Sequence, residues 1–254
     1  MKIASWNVNS LRVRIEQVLD WLERNQPDLL CLQELKMIDE DIPVQRFQEI
    51  GYHIAFTGQK TYNGVAIVSK HKLNDCIIDL PNYDDPQRRF ISGDYDGLRV
   101  INVYVPNGQA LDSEKFIYKR EWFAALQKAL GDALQKNHKV VLVGDFNITP
   151  SDLDVYDPEK WRGKIHCSEI ERLMLQNLMS EGLYDTFRHF NSQSDNFSWW
   201  DYRTKGYDRN EGLRIDLILS SSTMLDQAKK CEIDETPRKL ERPSDHTPVV
   251  ATYA

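Results

Sequence analysis

The chain has 254 residues, enough to bury one large core, and its 41% hydrophobic and 28% charged residues are an ordinary globular balance. No apolar run approaches the roughly 18 residues that a membrane span requires, so we expect no membrane partner. The formal net charge of −7 argues by itself against a nucleic-acid partner. It does not exclude one, because carboxylates gathered for a divalent cation lower the total charge in the same way.

The four cysteines are scattered and form no Cys-x-x-Cys pair: Cys31, Cys76, Cys167 and Cys231. This spacing predicts neither a zinc site nor a disulfide framework and is typical of a reducing compartment. The strand-like opening "MKIASWNV" does not resemble a signal peptide, so we expect a cytoplasmic protein. Short basic clusters are each interpreted first as solvated faces: Lys70-His71-Lys72, Arg88-Arg89, Lys115 with Lys119-Arg120, Lys160-Arg162-Lys164, and Arg238-Lys239 with Arg242.

The first elements in chain order are a strand, a helix and a second strand. A strand is predicted over residues 2–8, and apolar residues at helical spacing follow over 12–25 until Pro27 ends the helix. The short apolar run "LLCLQE" is then a buried strand that delivers Glu34 at its end. An acid after an apolar strand is where α/β folds place chemistry, although a helix cap or a salt bridge is the open alternative.

The middle of the chain predicts antiparallel strands followed by a long helix. A short helix over 43–50 precedes strand-like runs at 52–57, 64–69, 75–79, 89–95 and 98–105. The last of these leaves Tyr104 and Asn107 at its exit. Residues 112–136 then carry one broad apolar helical face.

A buried strand over 139–144 runs directly into Asp145 and Asn147. Residues two apart share a face of an extended segment, so this stretch aims an acid and an amide at one substrate atom. The long polar segment 151–167 is a functional loop by its length. Helices are predicted over 168–182 and 183–190.

The last quarter predicts strands that carry isolated acids. "NFSWWDYR" begins a strand, and "GLRIDLILS" is a strand with Asp216 amid apolar neighbours. A buried aspartate needs a cation, a histidine or several donors, because burying a lone charge is costly. Strands over 228–234 and 247–253 follow. Between them lies a Ser-Asp-His-Thr turn that would, by itself, be an ordinary surface turn.

Polar residues therefore stand at the ends of apolar strands throughout the sequence: Asn7, Glu34, Tyr104, Asp145, Asn147, Asp216, Asp245 and His246. Together they predict one cleft at the rim of two sheets packed face to face, with helices outside, in a single domain over residues 1–254. Carboxylates, amides and one histidine favour Mg²⁺ or Mn²⁺ over zinc. Such a site suits the hydrolysis of phosphate esters.

The chain resembles the exonuclease III family of AP endonucleases, within the wider superfamily that includes DNase I and the inositol polyphosphate 5-phosphatases. The resemblance covers essentially the whole chain and rests on eight blocks: "SWNVNSLR" (5–12), "LQELK" (32–36), "YNGVAIVSK" (62–70), "NVYVPNG" (102–108), "GDFNI" (144–148), "FSWWDYR" (197–203), "GLRIDLIL" (212–219) and "PSDHTPV" (243–249).

The resemblance implies an α/β fold of the DNase I-like kind, a four-layer α-β-β-α sandwich of two packed mixed β-sheets. It implies a Mg²⁺-dependent DNA repair nuclease with 3′-5′ exonuclease, 3′-phosphatase and AP endonuclease activity. The partner would be double-stranded DNA with abasic sites or 3′ ends, bound by a monomer that associates with the nucleoid. The metal ligands would be Glu34 with Asn7 and Asp245.

The same resemblance implies roles for the other strand-end residues. Asp145 would be the base for the attacking water, and Asn147 would orient that water. Asp216 would hold His246 against the scissile phosphate. Phosphate, sugar and DNA-backbone contacts would come from Tyr104, Asn107, Trp199, Tyr62, Lys36, Arg12 and Arg88.

Two further positions, Asn9 and His166, concern the metal site and the lesion pocket. Asn9 stands where some relatives carry an aspartate, so we expect one dominant ion. His166 lies ahead of a helix that, by resemblance, borders the lesion pocket. We hypothesise that His166 narrows this pocket and favours processing of 3′ termini over internal abasic sites. The alternative is a loop residue without a role.

Two other functions remain open at this point. The same fold could serve a phosphatase or phosphodiesterase acting on lipid or inositol phosphates, but no basic amphipathic helix suits a membrane surface. A catalytically inactive binding module is a further alternative. It would have lost some of the strand-end polar residues, and the main ones are all present.

Overall fold

A computed structural model describes residues 1–254 and contains fourteen strands. Their bounds are β1 Lys2–Asn7, β2 Leu29–Gln33, β3 His53–Thr57, β4 Val65–Ser69, β5 Asn74–Ile78, β6 Phe90–Tyr95, β7 Leu98–Tyr104, β8 Val140–Asp145, β9 Leu183–Asp185, β10 Trp199–Trp200, β11 Gly212–Leu213, β12 Asp216–Ser221, β13 Ala228–Ile233 and β14 Val249–Tyr253.

The helices lie between these strands. Their bounds are α1 Leu11–Asn25, α2 Val44–Glu49, α3 Glu114–Lys136, α4 Pro158–Trp161, α5 Glu169–Ser180, α6 Thr186–Phe190 and α7 Ser222–Leu225. Short 3-10 helices occur at Asp39–Asp41, Asp152–Asp154, Tyr202–Thr204, Gly206–Arg209 and Thr236–Lys239. None of the helices is both long and apolar enough to pass through a bilayer.

Twelve of the strands form two six-stranded mixed sheets. The first has the order β13-β14-β1-β2-β4-β3, in which β1 and β2 are parallel and the other pairs are antiparallel. The second has the order β5-β6-β7-β8-β12-β9, with β7 and β8 parallel. Strands β10 and β11 form a separate small ribbon. The predicted sandwich of two mixed sheets with helices outside is confirmed.

Three apolar clusters hold the layers together. One of 19 buried residues contains side chains from both sheets, including Ile3 and Val143, and forms the inner core. A second cluster of 18 lies under α1, and a third of 18 lies under α3 and α5. Central strands β2 and β8 are buried on both faces, which explains why their sequences are continuously apolar instead of alternating.

The strand ends meet at one rim because of this pairing. Parallel β1 and β2 both end there, with Asn7 opposite Gln33. Parallel β7 and β8 also end there, with Tyr104 opposite Asp145. Antiparallel β12 begins at the same rim, and its first residue, Asp216, pairs with Asp145. Polar residues from both sheets are thus delivered to one edge.

Gly144 permits the close approach of β7 and β8 just before that rim. Its φ is +145°, and a Cβ atom there would lie 1.9 Å from the backbone oxygen of Val103. A side chain at this position would push the strands apart. The position of Asp145 therefore depends on a glycine immediately before it.

Two predicted elements differ from the structure. The helix predicted over 183–190 starts as β9, which completes the sheet beside β12, and only then becomes α6. The single strand predicted over 212–220 is broken between β11 and β12. At the break, the backbone N–H of Arg214 donates to Asp154, away from the sheet.

The extended geometry predicted for residues 145–147 is also wrong. Asn147 has a left-handed φ of +50°, and its backbone N–H donates back to Oδ1 of Asp145 at 2.9 Å. The chain therefore turns at this point instead of continuing as a strand. The strand predicted from "NFSWWDYR" is limited to β10, because the Asp201 carboxylate accepts from Arg203 and begins a 3-10 helix.

Candidate active site

A buried aspartate–histidine–aspartate cluster lies at the centre of the rim. His246 places Nδ1 2.8 Å from Oδ2 of Asp216 and Nε2 3.7 Å from Oδ2 of Asp145. All three side chains are at most 4% exposed. The buried aspartate predicted to need a partner thus lies against the histidine that follows the Ser-Asp turn.

Charge compensation shifts the pKa values in this cluster. Burial by itself lowers the pKa of His246, but the carboxylates of Asp216 and Asp145 outweigh burial and raise it. Burial raises the pKa of Asp145 more strongly than the facing imidazole lowers it. Asp145 therefore binds a proton more readily than an exposed aspartate does, which suits a general base.

Glu34 and Asn7 extend the cluster to the other sheet. The amide Nδ2 of Asn7 donates to Oε1 of Glu34 and to Oδ2 of Asp145, both at 2.9 Å. The ammonium of Lys36 lies 2.8 Å from Oε2 of Glu34. Burial acts to raise the pKa of Glu34, but Lys36 and the donated hydrogen bonds outweigh it and hold that pKa below its usual range. Glu34 is therefore a carboxylate at neutral pH.

The donor set fits a hard divalent cation. Glu34, Asp145 and His246 each offer a ligand atom, and these atoms lie within 4.8 Å of one another. Two are carboxylate oxygens and no cysteine is present, which favours an oxygen-seeking ion. Asp245, which sequence also predicts as a ligand, lies beside this group: its Oδ1 accepts from Asn9 at 2.9 Å and its Oδ2 from Trp199 at 3.1 Å.

The turn that carries Asp245 and His246 is fixed by hydrogen bonds. Ser244 donates through Oγ to the backbone oxygen of Asn7 at 2.7 Å and accepts from the backbone N–H of His246 at 3.2 Å. Arg14 donates to the backbone oxygens of residues 242 and 243 at 3.2 and 3.1 Å. Arg238 donates to the backbone oxygen of Ser244. The turn is therefore held rigidly against β1.

The amides of Asn107 and Asn147 face each other beside the acids. Nδ2 of Asn107 lies 3.2 Å from Oδ1 of Asn147 and 3.4 Å from Nε2 of His166. The His166 ring is 6% exposed and lies between Trp161 and Trp199, with centroid distances of 6.5 and 6.3 Å. The structure thus brings Asn107, Asn147, His166 and Trp199 together.

An open cleft of about 600 Å³ adjoins Glu34. Its polar lining includes Gln59, Asn63, Gln87, Arg89, Tyr104, Asn107 and Lys115. Tyr62 also lines it and is 66% exposed. Burial and the negative charge of Glu34 hold the pKa of Tyr104 well above its usual range, so its hydroxyl remains a donor.

Two predicted DNA contacts lie away from the acids. The Arg12 guanidinium is exposed and pairs with Asp41 at 2.7 Å. Arg88 pairs with Asp79, whereas its neighbour Arg89 lines the cleft and lies over the Tyr104 ring at 4.6 Å. Sequence reasoning placed Arg89 only in a basic cluster. Both arginines precede β6, so strand alternation does not distinguish them in the sequence.

Two residues of the supposed solvated basic clusters are buried. Lys119 is fully buried, and Arg238 is 8% exposed among the rings of Trp200, Tyr202 and Tyr207. The helical phase of Lys119 was the available signal, because Phe116, Trp122 and Phe123 beside it all face the core. Arg238 had no comparable signal.

Comparison with known proteins places this geometry in a family. The model of the Endonuclease/Exonuclease/phosphatase family matches residues 4–246. Exodeoxyribonuclease III from Haemophilus influenzae is 38% identical, with 100% of both chains covered. The 3′ phosphatase NExo from Neisseria, solved bound to product DNA hairpin, has a TM-score of 0.99 at 50% identity, covering 100% of this chain and 99% of that one. An AP endonuclease from Archaeoglobus fulgidus has a TM-score of 0.95 at 36% identity, with the same coverage.

The chain therefore belongs to the Endonuclease/Exonuclease/phosphatase family. Within that family it is an enzyme of the exodeoxyribonuclease III and AP endonuclease type, a phosphodiester hydrolase of DNA repair. The predicted resemblance is confirmed.

Proposed function

We propose that this protein is a Mg²⁺-dependent DNA repair nuclease that removes nucleotides and blocking phosphates from 3′ ends and cuts beside abasic sites. It would act as a single-domain monomer on duplex DNA in the cytoplasm, at the nucleoid. The observation that carries the proposal is the cluster of half-buried Glu34 with buried Asp145, Asp216 and His246 at an open rim. Outside a catalytic or binding site, a cluster of this kind would lower the stability of the protein and serve no function.

Glu34 is the ligand we assign first to the ion, with Asn7 and Asp245 beside it. Its carboxylate is ionised, and Asn7 already orients one of its oxygens. When bound, Mg²⁺ supplies positive charge that stabilises the developing charge on the phosphate.

The side chains of the chain itself account for the proton movements. Asp145 accepts a proton from the attacking water, and the Asn147 amide orients that water. The water oxygen forms a bond to phosphorus while the bond from phosphorus to the leaving oxygen breaks, releasing a hydroxyl and a phosphate. Asp216 holds His246 for contact with the phosphate, and Tyr104 offers its hydroxyl as a donor to the leaving oxygen.

Trp199 and the residues of the cleft supply substrate contacts in this proposal. Trp199 would pack on the sugar of the reacting nucleotide, and Asn107 would donate to its phosphate. Tyr62 and Lys36 would contact the DNA backbone. Arg12 and Arg88 would first have to leave their aspartate partners.

A comparison of three duplexes tests the proposed function. One carries a 3′-phosphate at a nick, one an internal abasic site, and one only 3′-hydroxyl ends. In the presence of Mg²⁺ we expect release of phosphate or cleavage of the strand. In the presence of EDTA we expect neither product. A His246→Gln preparation purified in parallel controls for contaminating nucleases. Absence of any Mg²⁺-dependent product from the wild-type protein on all three duplexes would overturn the proposal.

His166 is proposed to set the balance between these substrates. Burial and the nearby Lys119 lower its pKa to about 4, so the ring is neutral and fills space between two tryptophans. A filled pocket admits a terminal nucleotide more readily than an abasic sugar inside a strand. His166→Gly should raise cleavage at an internal abasic site relative to 3′-phosphate removal. An unchanged ratio of the two rates sinks this role.

A further inference from the structure

Lys119 of α3 is a fully buried charge behind the active site. Its ammonium has three protons and three acceptors. Nζ lies 2.5 Å from Oε1 of Glu171, 2.8 Å from the backbone oxygen of Asn147 and 3.2 Å from the backbone oxygen of Asn107. The donor capacity of the lysine is therefore completely used.

This lysine is costly to bury. Desolvation lowers the pKa of Lys119, while the carboxylate of Glu171, itself 0% exposed, acts to raise it. A buried ion pair contributes little net stability compared with apolar residues of similar volume. Stability alone therefore does not explain the pair, and the two backbone oxygens that it holds become the relevant contacts.

Asn147 is the more constrained of the two. Its φ of +50° lies in the left-handed region, which asparagine adopts more readily than most residues, and its backbone oxygen has two partners that hold this turn. Its backbone oxygen accepts from Lys119 and lies 2.8 Å from Nδ1 of His166. Because a backbone oxygen only accepts, Nδ1 carries the proton, and the neutral ring leaves Nε2 as an acceptor toward Asn107.

The fixed backbone in turn sets the amide of Asn147. The side-chain Nδ2 donates to the backbone oxygen of Val105 at 3.0 Å, and Oδ1 faces Asn107 at 3.2 Å. The backbone N–H donates to Asp145 at 2.9 Å. A shift of the Asn147 peptide would therefore move the amide and disturb the acid together.

Glu171 connects this arrangement to α5. Its Oε2 accepts from the backbone N–H of Ser168 at 3.3 Å, and its own backbone N–H donates to Oγ of Ser168 at 3.3 Å, which forms a capping box at the start of that helix. Gly108 leaves the space for the lysine stem, since a Cβ there would lie 3.0 Å from Cδ of Lys119. Through these hydrogen bonds Lys119 connects α3 to α5 and to the loops that carry Asn107 and Asn147.

We propose that Lys119 is a positioning residue of the active site, which fixes the peptides of Asn147 and Asn107 from behind while Glu171 neutralises it. It touches no substrate in this arrangement and acts through Asn147. The inference rests on the proposed function, because it concerns the geometry of that same reaction.

A double-mutant cycle with Asn147 tests the proposal. The variant Lys119→Met/Glu171→Leu removes both charges, so that no unpaired charge is left buried. We expect kcat on the 3′-phosphate duplex to fall by up to about 10²-fold, the size of effect that a misplacement of about 1 Å produces, with KM nearly unchanged. In an Asn147→Ala background the same change should lower kcat by a smaller factor than in the wild type, because the amide that Lys119 positions is gone.

The matched control is Arg214→Met, which breaks a buried ion pair that contacts neither asparagine. Arg214→Met should leave kcat near its starting value both in the wild type and in the Asn147→Ala background. If the charge-free variant does not fold, as judged by its thermal transition, Lys119→Gln takes its place in the cycle. Multiplicative losses for the Lys119 variant, or an unchanged kcat, would overturn the positioning role. An inactive wild-type protein would instead refute the proposed function.

Discussion

Two buried charged clusters lie two residues apart on one stretch of chain, and they differ in how their charge is balanced. Arg214 lies 2.6 Å from both Asp154 and Asp185, and Arg188 lies 2.5 Å from Asp154. Two guanidinium groups thus face two carboxylates. We call this set the paired cluster.

The cluster at Asp216 is not balanced in this way. Three carboxylates, from Glu34, Asp145 and Asp216, face the imidazole of His246 and the ammonium of Lys36. One oxygen of Asp216, Oδ1, is buried without a hydrogen-bond partner in the protein. In these two clusters, the balanced charges hold parts of the fold together, whereas the unbalanced charges at an open rim mark the chemistry.

The largest effect is expected from His246→Gln in the unbalanced cluster. The change keeps a polar side chain near Asp216 but removes the imidazole that we propose contacts the phosphate. We expect kcat to fall by about 10²–10³-fold, the range for loss of one charge-stabilising group. Circular dichroism and the thermal transition should show a folded protein. A variant that retains wild-type kcat would show that His246 is not part of the reaction.

In the paired cluster, Arg214→Met should instead reduce stability. It leaves Asp154 and Asp185 buried with fewer partners, and breaking such a pair costs about 3–5 kcal/mol. Denaturant titration measures the loss in the free energy of unfolding. Below the unfolding transition, kcat should stay near the wild-type value. A large loss of kcat in a folded variant would remove the distinction between the two clusters.

The pH dependence of that stability difference sharpens the comparison. Burial acts to raise the pKa of Asp154, but Arg214 and Arg188 outweigh burial and hold the pKa below its ordinary value of 3.8. A depressed carboxyl pKa contributes stability above pH 3.8 that is lost as pH falls through the native value. The difference in the free energy of unfolding between wild type and Arg214→Met should therefore become smaller below pH 3.8. A constant difference would show that Asp154 does not respond to Arg214.

The smallest effect is expected from Arg12→Ala, which belongs to neither cluster. Its guanidinium is exposed and pairs with Asp41, and such surface pairs contribute about 0–1 kcal/mol to stability. If Arg12 contacts a phosphate in the complex, the slope of log affinity against log salt should fall by about 0.9. Fluorescence anisotropy over a salt series measures this slope. An unchanged slope removes Arg12 from the DNA face.

Much of the site follows from the sequence because polar residues at strand ends interrupt apolar runs. Asp216 amid apolar neighbours implied a buried partner, and His246 lies against it. The position of Lys119 was missed, because its sequence neighbour Arg120 made it part of a basic cluster. Two of its three acceptors are backbone oxygens, which leave no trace in the sequence, and the third is the carboxylate of Glu171, 52 residues away along the chain. The turn at Asn147 was missed for a similar reason, since Asn147 continues an apparently regular strand.

The pairing of β1 with β14 has a consequence for synthesis on the ribosome. Lys2 pairs with Thr252, so β1 cannot pair with β14 until nearly the whole chain has been synthesised. Asn7 from the start and His246 from the end must both be in place before the cleft exists. Contacts so distant in sequence form late. A nascent chain halted before His246 would therefore lack the cleft and should show no nuclease activity.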